Sequence, residues 1–265
     1  SLHNLGASLG DAAAPIVAGS LLTIFTWSET ALISSIPMFV TLVMVLTMLR
    51  EPAAEAAPAH SARKGADYLK GMALLVRNSA ILKLFVMSGL RSATQNGVLV
   101  FLPLYMVGVL SASPATVGAT IMTLQIGGMI AGPPAGLWSD RIGRRPVALA
   151  GLSLATILIA AIIWAPSTGL LIALAGLVGF ALFAVRPVVH SWTVDLSAKE
   201  TSGSAVSMLF MAQVAMTATV PVIGGMVADR WGLASVFHIF VVTCFLAALI
   251  VVFMPNTKPD AAGGD

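Results

Sequence analysis

Charge is scarce in this chain. Asp, Glu, Lys and Arg make up only 9% of its 265 residues, against roughly a quarter in soluble domains. With 58% hydrophobic residues and a mean hydropathy of +0.95, that shortage excludes a water-soluble body and indicates an integral membrane protein. Cysteine is nearly absent: Cys244 stands alone in an apolar run, which excludes an intramolecular disulfide and a thiolate metal cluster. Metal-ligand spacings and phosphate-binding loops are missing as well, so no metal, no cofactor and no ATP coupling within this chain is expected. The net charge of +3 is no nucleic-acid footprint, because the basic residues collect in loops on one side. Ser1 is preceded by no initiator methionine and followed by no basic n-region or small-residue cleavage site, so the start is expected to be a cut rather than a signal peptide.

What is present is a series of long uncharged runs. Eight segments suit membrane crossing, at 5–25, 31–49, 84–108, 115–137, 147–166, 169–191, 204–226 and 234–254. Of the fourteen Lys and Arg residues, eleven fall in connections on one side, Arg230 lies on the other, and Arg91 and Arg186 lie inside spans. Basic loops stay in the cytoplasm, which puts Ser1, the long 50–83 connection and the C-terminus there. That connection begins with an Ala-, Pro- and charge-rich stretch expected to be a flexible linker. Leu69, Met72, Leu75 and Val76 then share one helical face, as in a short amphipathic helix on the membrane surface or a soluble helix packed on the bundle.

The one dense cluster of charge between apolar runs is GLWSDRIGRRP, Gly136 to Pro146, with about twenty residues without any charge on each side, enough to cross a bilayer core. Its pattern G-x-x-x-D-R-x-G-R-R resembles the signature loop of the major facilitator superfamily of secondary transporters, matched at every fixed position. Gly136 would let two helices approach closely, and Gly143 would supply the φ > 0 turn of a tight loop. The resemblance implies that Asp140 with Arg141, Arg144 and Arg145 forms an ion-paired latch at the cytoplasmic surface. It further implies that Asp195, at the same level at the end of span six, pairs with Arg144. Where the family often has an arginine just beyond, this chain has Ser202, Gly203 and Ser204, which weakens the match on that side. Ser197 and Glu200 have capping-box spacing for the next helix.

An internal repeat bears on the architecture. PIVAG at Pro15–Gly19 and PVIGG at Pro221–Gly225 superpose with a shift of 206 residues, each followed by a tryptophan, Trp27 and Trp231. Spans one and two then match seven and eight, the last pair of a six-span unit. Together with the resemblance this implies an all-α polytopic membrane helix bundle of the major facilitator type, N-terminally truncated. Residues 1–49 would be the last two spans of an N-terminal half, 50–83 the linker, 84–254 a complete six-span half and 255–265 a cytoplasmic tail, with four N-terminal spans missing.

Polar residues inside spans are costly and mark functional positions. Asp11 shares a helical stripe with Asn4, Ser8 and Pro15, opposite Gly6 and Gly10, and is either a proton-exchanging carboxylate or a structural acid. Arg91 shares a stripe with Ser88, Ser92 and Gln95, with Asn96 beside it, and either lines the solute path or pairs with an acid in the bundle. Arg186 and His190 stand one turn apart across Pro187, the histidine being a proton relay or an interfacial hydrogen-bonder. Gly128, Gly132 and Gly136 suggest a packing seam with a bend at Pro133 and Pro134. GASLG at Gly6–Gly10 matches a serine-hydrolase pattern without its strand-turn-helix context, and His190, Ser191 and Asp195 lie too close in sequence to form a triad, so no enzyme is expected. The expected activity is secondary transport of a small organic solute across the cytoplasmic membrane, as proton-coupled efflux of amphipathic compounds. Uptake of an organic anion through Arg91 and Arg186 is one alternative, and a non-transporting sensor or assembly partner is another.

Overall fold

The computed structural model describes residues 2–48, 75, 77–165, 167–198 and 201–257. Eight helices lie among them: α1 (Leu2–Leu21), α2 (Trp27–Met48), α3 (Ser79–Gly108), α4 (Pro114–Ile142), α5 (Arg144–Ile163), α6 (Thr168–Leu196), α7 (Ser202–Trp231) and α8 (Leu233–Val252). The fold class is all-α, with no strand among the described residues. Each apolar run becomes one helix, because in hydrocarbon only intrahelical bonding satisfies every backbone group. Several helices overrun their hydrophobic stretch; α4 continues through Asp140 to Ile142 and α7 through Arg230. At about 1.5 Å per residue a thirty-residue helix measures roughly 45 Å, enough to cross the core and enter both headgroup layers.

Six of the eight, α2 and α4 to α8, are long and apolar enough to cross a membrane by length and composition. The shortfall at α3 has a local cause, since Lys83 and the polar strip from Ser88 to Asn96 dilute an otherwise apolar helix. Of the surface helix expected after the linker only Leu75 and Arg77 are described, and the rest of that segment lies outside the described residues.

α3 packs along α7 and α8, α5 along α6 and α8, and α4 along α6 and α1. α2 makes its one substantial described contact with α1, and its Leu32, Met38, Phe39 and Leu46 are exposed. Glycines set the closest approach. A Cβ on Gly179 of α6 would lie 1.9 Å from the Leu124 carbonyl oxygen of α4, and one on Gly127 would lie 2.1 Å from that of Gly176. The α4–α6 backbones therefore touch. α1 meets α4 in the same way, Gly19 on Pro114 and Gly118 on Pro15. The expected glycine positions need correction here: Gly132, Gly136 and Gly10 have no described atom within 4 Å of an added Cβ, and only Gly128, against Phe183, belongs to the seam. Spacing by four marks a stripe, but helix rotation decides which stripe meets a neighbour.

Two helix pairs are joined by a single residue. Gly143, φ 100° and ψ 163°, links α4 to α5, and Gly232, φ 84° and ψ 161°, links α7 to α8. Both angles lie where only glycine is at ease. The two turns sit at opposite ends of the bundle. Gly143 adjoins Asn256, beyond the end of α8, whereas Leu233 beside Gly232 contacts Gly108 at the far end of α3.

Candidate functional site

The Gly143 turn brings the charged side chains together. Because α5 starts at once, Arg144 falls beneath the end of α4 and is only 4% exposed. Its Nε donates to Asp195 Oδ2 at 2.9 Å and its Nη1 to Ser139 Oγ at 2.7 Å, with a further bond from Nη1 to Asp140 Oδ1. One guanidinium thus ties the ends of α4 and α6 to the start of α5, using the fixed fork that a lysine lacks. The two acids differ in setting, the Asp195 side chain being 24% exposed and that of Asp140 55%. Arg145 turns to the end of α8, its Nη2 donating to the Val252 carbonyl. Arg141 is exposed, with no partner among the described residues.

Beside this cluster lies a cavity of about 330 Å³ lined by Arg144, His190, Ser191, Val194, Asp195 and Val206. His190 is half-buried with its ring 5.0 Å from that of Phe210, so the cavity joins α6 to α7 at the Gly143 face. Arg186, one turn inward, is exposed rather than buried with its neighbour. Ser197 ends α6, its hydroxyl bonded to the Val194 carbonyl, and α7 begins at Ser202; Glu200, the other half of the expected capping box, lies outside the described residues.

Deeper in the bundle the α3 strip divides between two neighbours. Ser88 Oγ accepts from Gln213 Nε2 of α7 at 2.7 Å. Arg91, 2% exposed, turns toward α6 and donates from Nη1 to Gln95 Oε1 at 2.6 Å and to the Leu182 carbonyl at 3.3 Å. Both acceptors are neutral, and no carboxylate pairs with Arg91 among the described residues. Its buried Nε has no partner there, nor has the buried Gln125 Oε1 of α4. Asn96 bonds back to the Ser92 carbonyl of its own helix at 2.9 Å. Asp11 lies in α1, but its side chain is outside the described residues.

Ser139, Asn256 and Thr257 complete the charged cluster, and no local pattern marks them, the last two lying more than a hundred residues from the turn. A readable signal does exist at the other turn: Gly225, Asp229, Arg230 and Gly232 repeat G-x-x-x-D-R-x-G, displaced by 89 residues from Gly136, Asp140, Arg141 and Gly143.

A family model described as Major Facilitator Superfamily matches residues 84–264. The chain is 34% identical over 152 residues to the multi-drug resistance efflux pump PmrA of Streptococcus pneumoniae, covering 54% of this chain and 37% of that pump. It is 30% identical over 172 residues to the PmrA homolog of Lactococcus lactis, covering 63% and 42%. To multidrug resistance protein D of Escherichia coli it is 26% identical over 149 residues, covering 56% and 37%. The chain therefore spans less than half the length of these relatives. Among solved structures, the peptide transporter POT in complex with alafosfalin superposes with a TM-score of 0.58 at 18% identity, over 65% of this chain and 37% of that one, a likeness of fold alone.

Proposed function

The chain belongs to the major facilitator superfamily, and from that premise we propose that it serves proton-coupled efflux of small amphipathic compounds by alternating access. The observation that carries this reading is the buried Arg144, which fastens α4, α5 and α6 together at one face through Asp195 and Asp140. Such a bond can hold one face shut and let go when the bundle rocks. The arginine-bearing face is assigned to the cytoplasm, with the C-terminus on the same side and the protein in the cell membrane. Helices α3 to α8 are read as one six-span half, met by α1 along α4. Efflux is favoured because the curated relatives are named as multidrug efflux pumps. Asp11, His190, Arg186, Arg91, Gln95 and Asn96 are assigned to the path of proton or solute.

Ethidium export from cells expressing the protein tests this. Asp195→Asn keeps the shape but removes the charge from the bond to Arg144, and a charge-assisted hydrogen bond contributes about 1.5–3 kcal/mol, so the initial rate should fall roughly tenfold. An undiminished rate would sink the latch, and wild-type protein that moves no amphipathic cation would sink the efflux reading.

A second reading, uptake of an organic anion, is favoured by Arg91, a buried cation with neutral acceptors and an unpartnered Nε. Arg91→Met separates the two. If Arg91 binds a carboxylate, uptake of radiolabelled benzoate into proteoliposomes should drop by about tenfold or more, the worth of one charged hydrogen bond. If efflux is right, benzoate is not accumulated and export of a cationic dye survives the substitution.

A further inference from the structure

Helix α5 begins without a cap of its own. The residue before it is Gly143, which has no side chain, so the first N–H groups must find acceptors elsewhere. Those acceptors come from the segment that follows the last helix. The Arg144 N–H donates to the Thr257 carbonyl at 3.1 Å, and the Arg145 N–H donates to Asn256 Oδ1 at 3.3 Å. Arg145 Nη2 reaches back to the Val252 carbonyl, and a Cβ on Gly143 would meet Asn256 Oδ1 at 2.3 Å. Met254, 2% exposed, anchors the segment in the core. Residues 252–257 therefore grip the same turn whose next side chain is the buried Arg144.

We infer that Asn256 and Thr257 are positioning residues of the Arg144 latch. They fix the first turn of α5, and with it the depth at which the guanidinium meets Asp140 and Asp195. The inference rests on the latch reading given above. Its consequence is that the start of the C-terminal tail and the gate form one mechanical unit, so loosening the first weakens the second.

Two measurements on the full chain in detergent test this without any transported solute. The first is hydrogen exchange at the Arg144 and Arg145 amides. Asn256→Ala removes an acceptor worth about 1 kcal/mol, so exchange should quicken roughly fivefold, while Asn256→Asp keeps the acceptor and the protection. The second is maleimide labelling of Thr193→Cys, a buried position two residues before Asp195, with the native Cys244 also buried. Asn256→Ala should raise the labelling rate at least about threefold, Asn256→Asp should not, and Asp195→Asn supplies the rate for a broken latch. Unchanged exchange in Asn256→Ala, equal loss in Asn256→Asp, or faster exchange without faster labelling overturns the inference. If Asp195→Asn itself leaves labelling unchanged, the latch falls and the inference with it, whatever the outcome for dye export.

Discussion

Arg144→Ala is expected to destabilise the folded protein by about 3 kcal/mol, the low end of the range for breaking a buried ion pair. The low end applies because the Asp140 and Asp195 side chains, 55% and 24% exposed, regain water, whereas the fully buried Ser139 hydroxyl does not. At about 2–4 °C per kcal/mol for a domain of this size, the Tm should fall by roughly 6–12 °C. Cys244 provides the readout: it is the single thiol and fully buried, so a fluorogenic maleimide reacts only as the bundle opens. The series should run Arg144→Ala worst, then Asp195→Asn, then Asp140→Asn, in order of increasing water access. Arg144→Lys should recover part of the loss, since an ammonium can reach one carboxylate but cannot span three acceptors. A Tm within about 2 °C of wild type for Arg144→Ala would show that the buried arginine contributes little.

A second large effect is expected at the α4–α6 seam. The Cβ of Gly179→Ala would lie 1.9 Å from the Leu124 carbonyl oxygen, a backbone atom that cannot rotate away as a side-chain tip can. The two helices must part, and overpacking of this kind costs about 1–3 kcal/mol for a single methyl. Gly179→Leu should leave no monodisperse folded species on size exclusion. Gly132→Ala is the internal control on α4. No described atom lies within 4 Å of its Cβ, and alanine is the better helix former by about 1 kcal/mol, so stability should hold or rise. Equal behaviour of the Gly179 and Gly132 variants would mean that the seam is looser than its backbone contacts imply.

The helices were legible because an uncharged run long enough to span a bilayer has one stable backbone conformation in it. Their ends were less so, since hydropathy stops at the hydrocarbon boundary while helix α4 continues through Trp138 and Asp140 into the interface. Gly143 could be read correctly because a one-residue turn demands positive φ, a local requirement. Gly136 could not, because packing depends on the rotation of α4 against partners whose own glycines, Gly176 and Gly179, carry no pattern pointing back. The same division runs through the polar residues. The bond from Arg91 to Gln95 follows from helical spacing, but that to the Leu182 carbonyl and the grip of Asn256 on Arg145 require the tertiary fold. Resemblance to a family supplied Asp195 as the partner of Arg144, where spacing alone would not have chosen it.

Gly143 and Gly232 stand at the same place in two runs of three helices, between the second and third of α3 to α5 and of α6 to α8, at opposite ends of the bundle. The two bends differ in the side chains that surround them. At one bend the glycine is followed by Arg144, clasped by two acids; at the other it is followed by Leu233, and Asp229 and Arg230 stand exposed without an ion pair among the described residues. On the alternating-access reading proposed above, a preference for one facing state over the other would be set by that difference in polar contacts between the two rims.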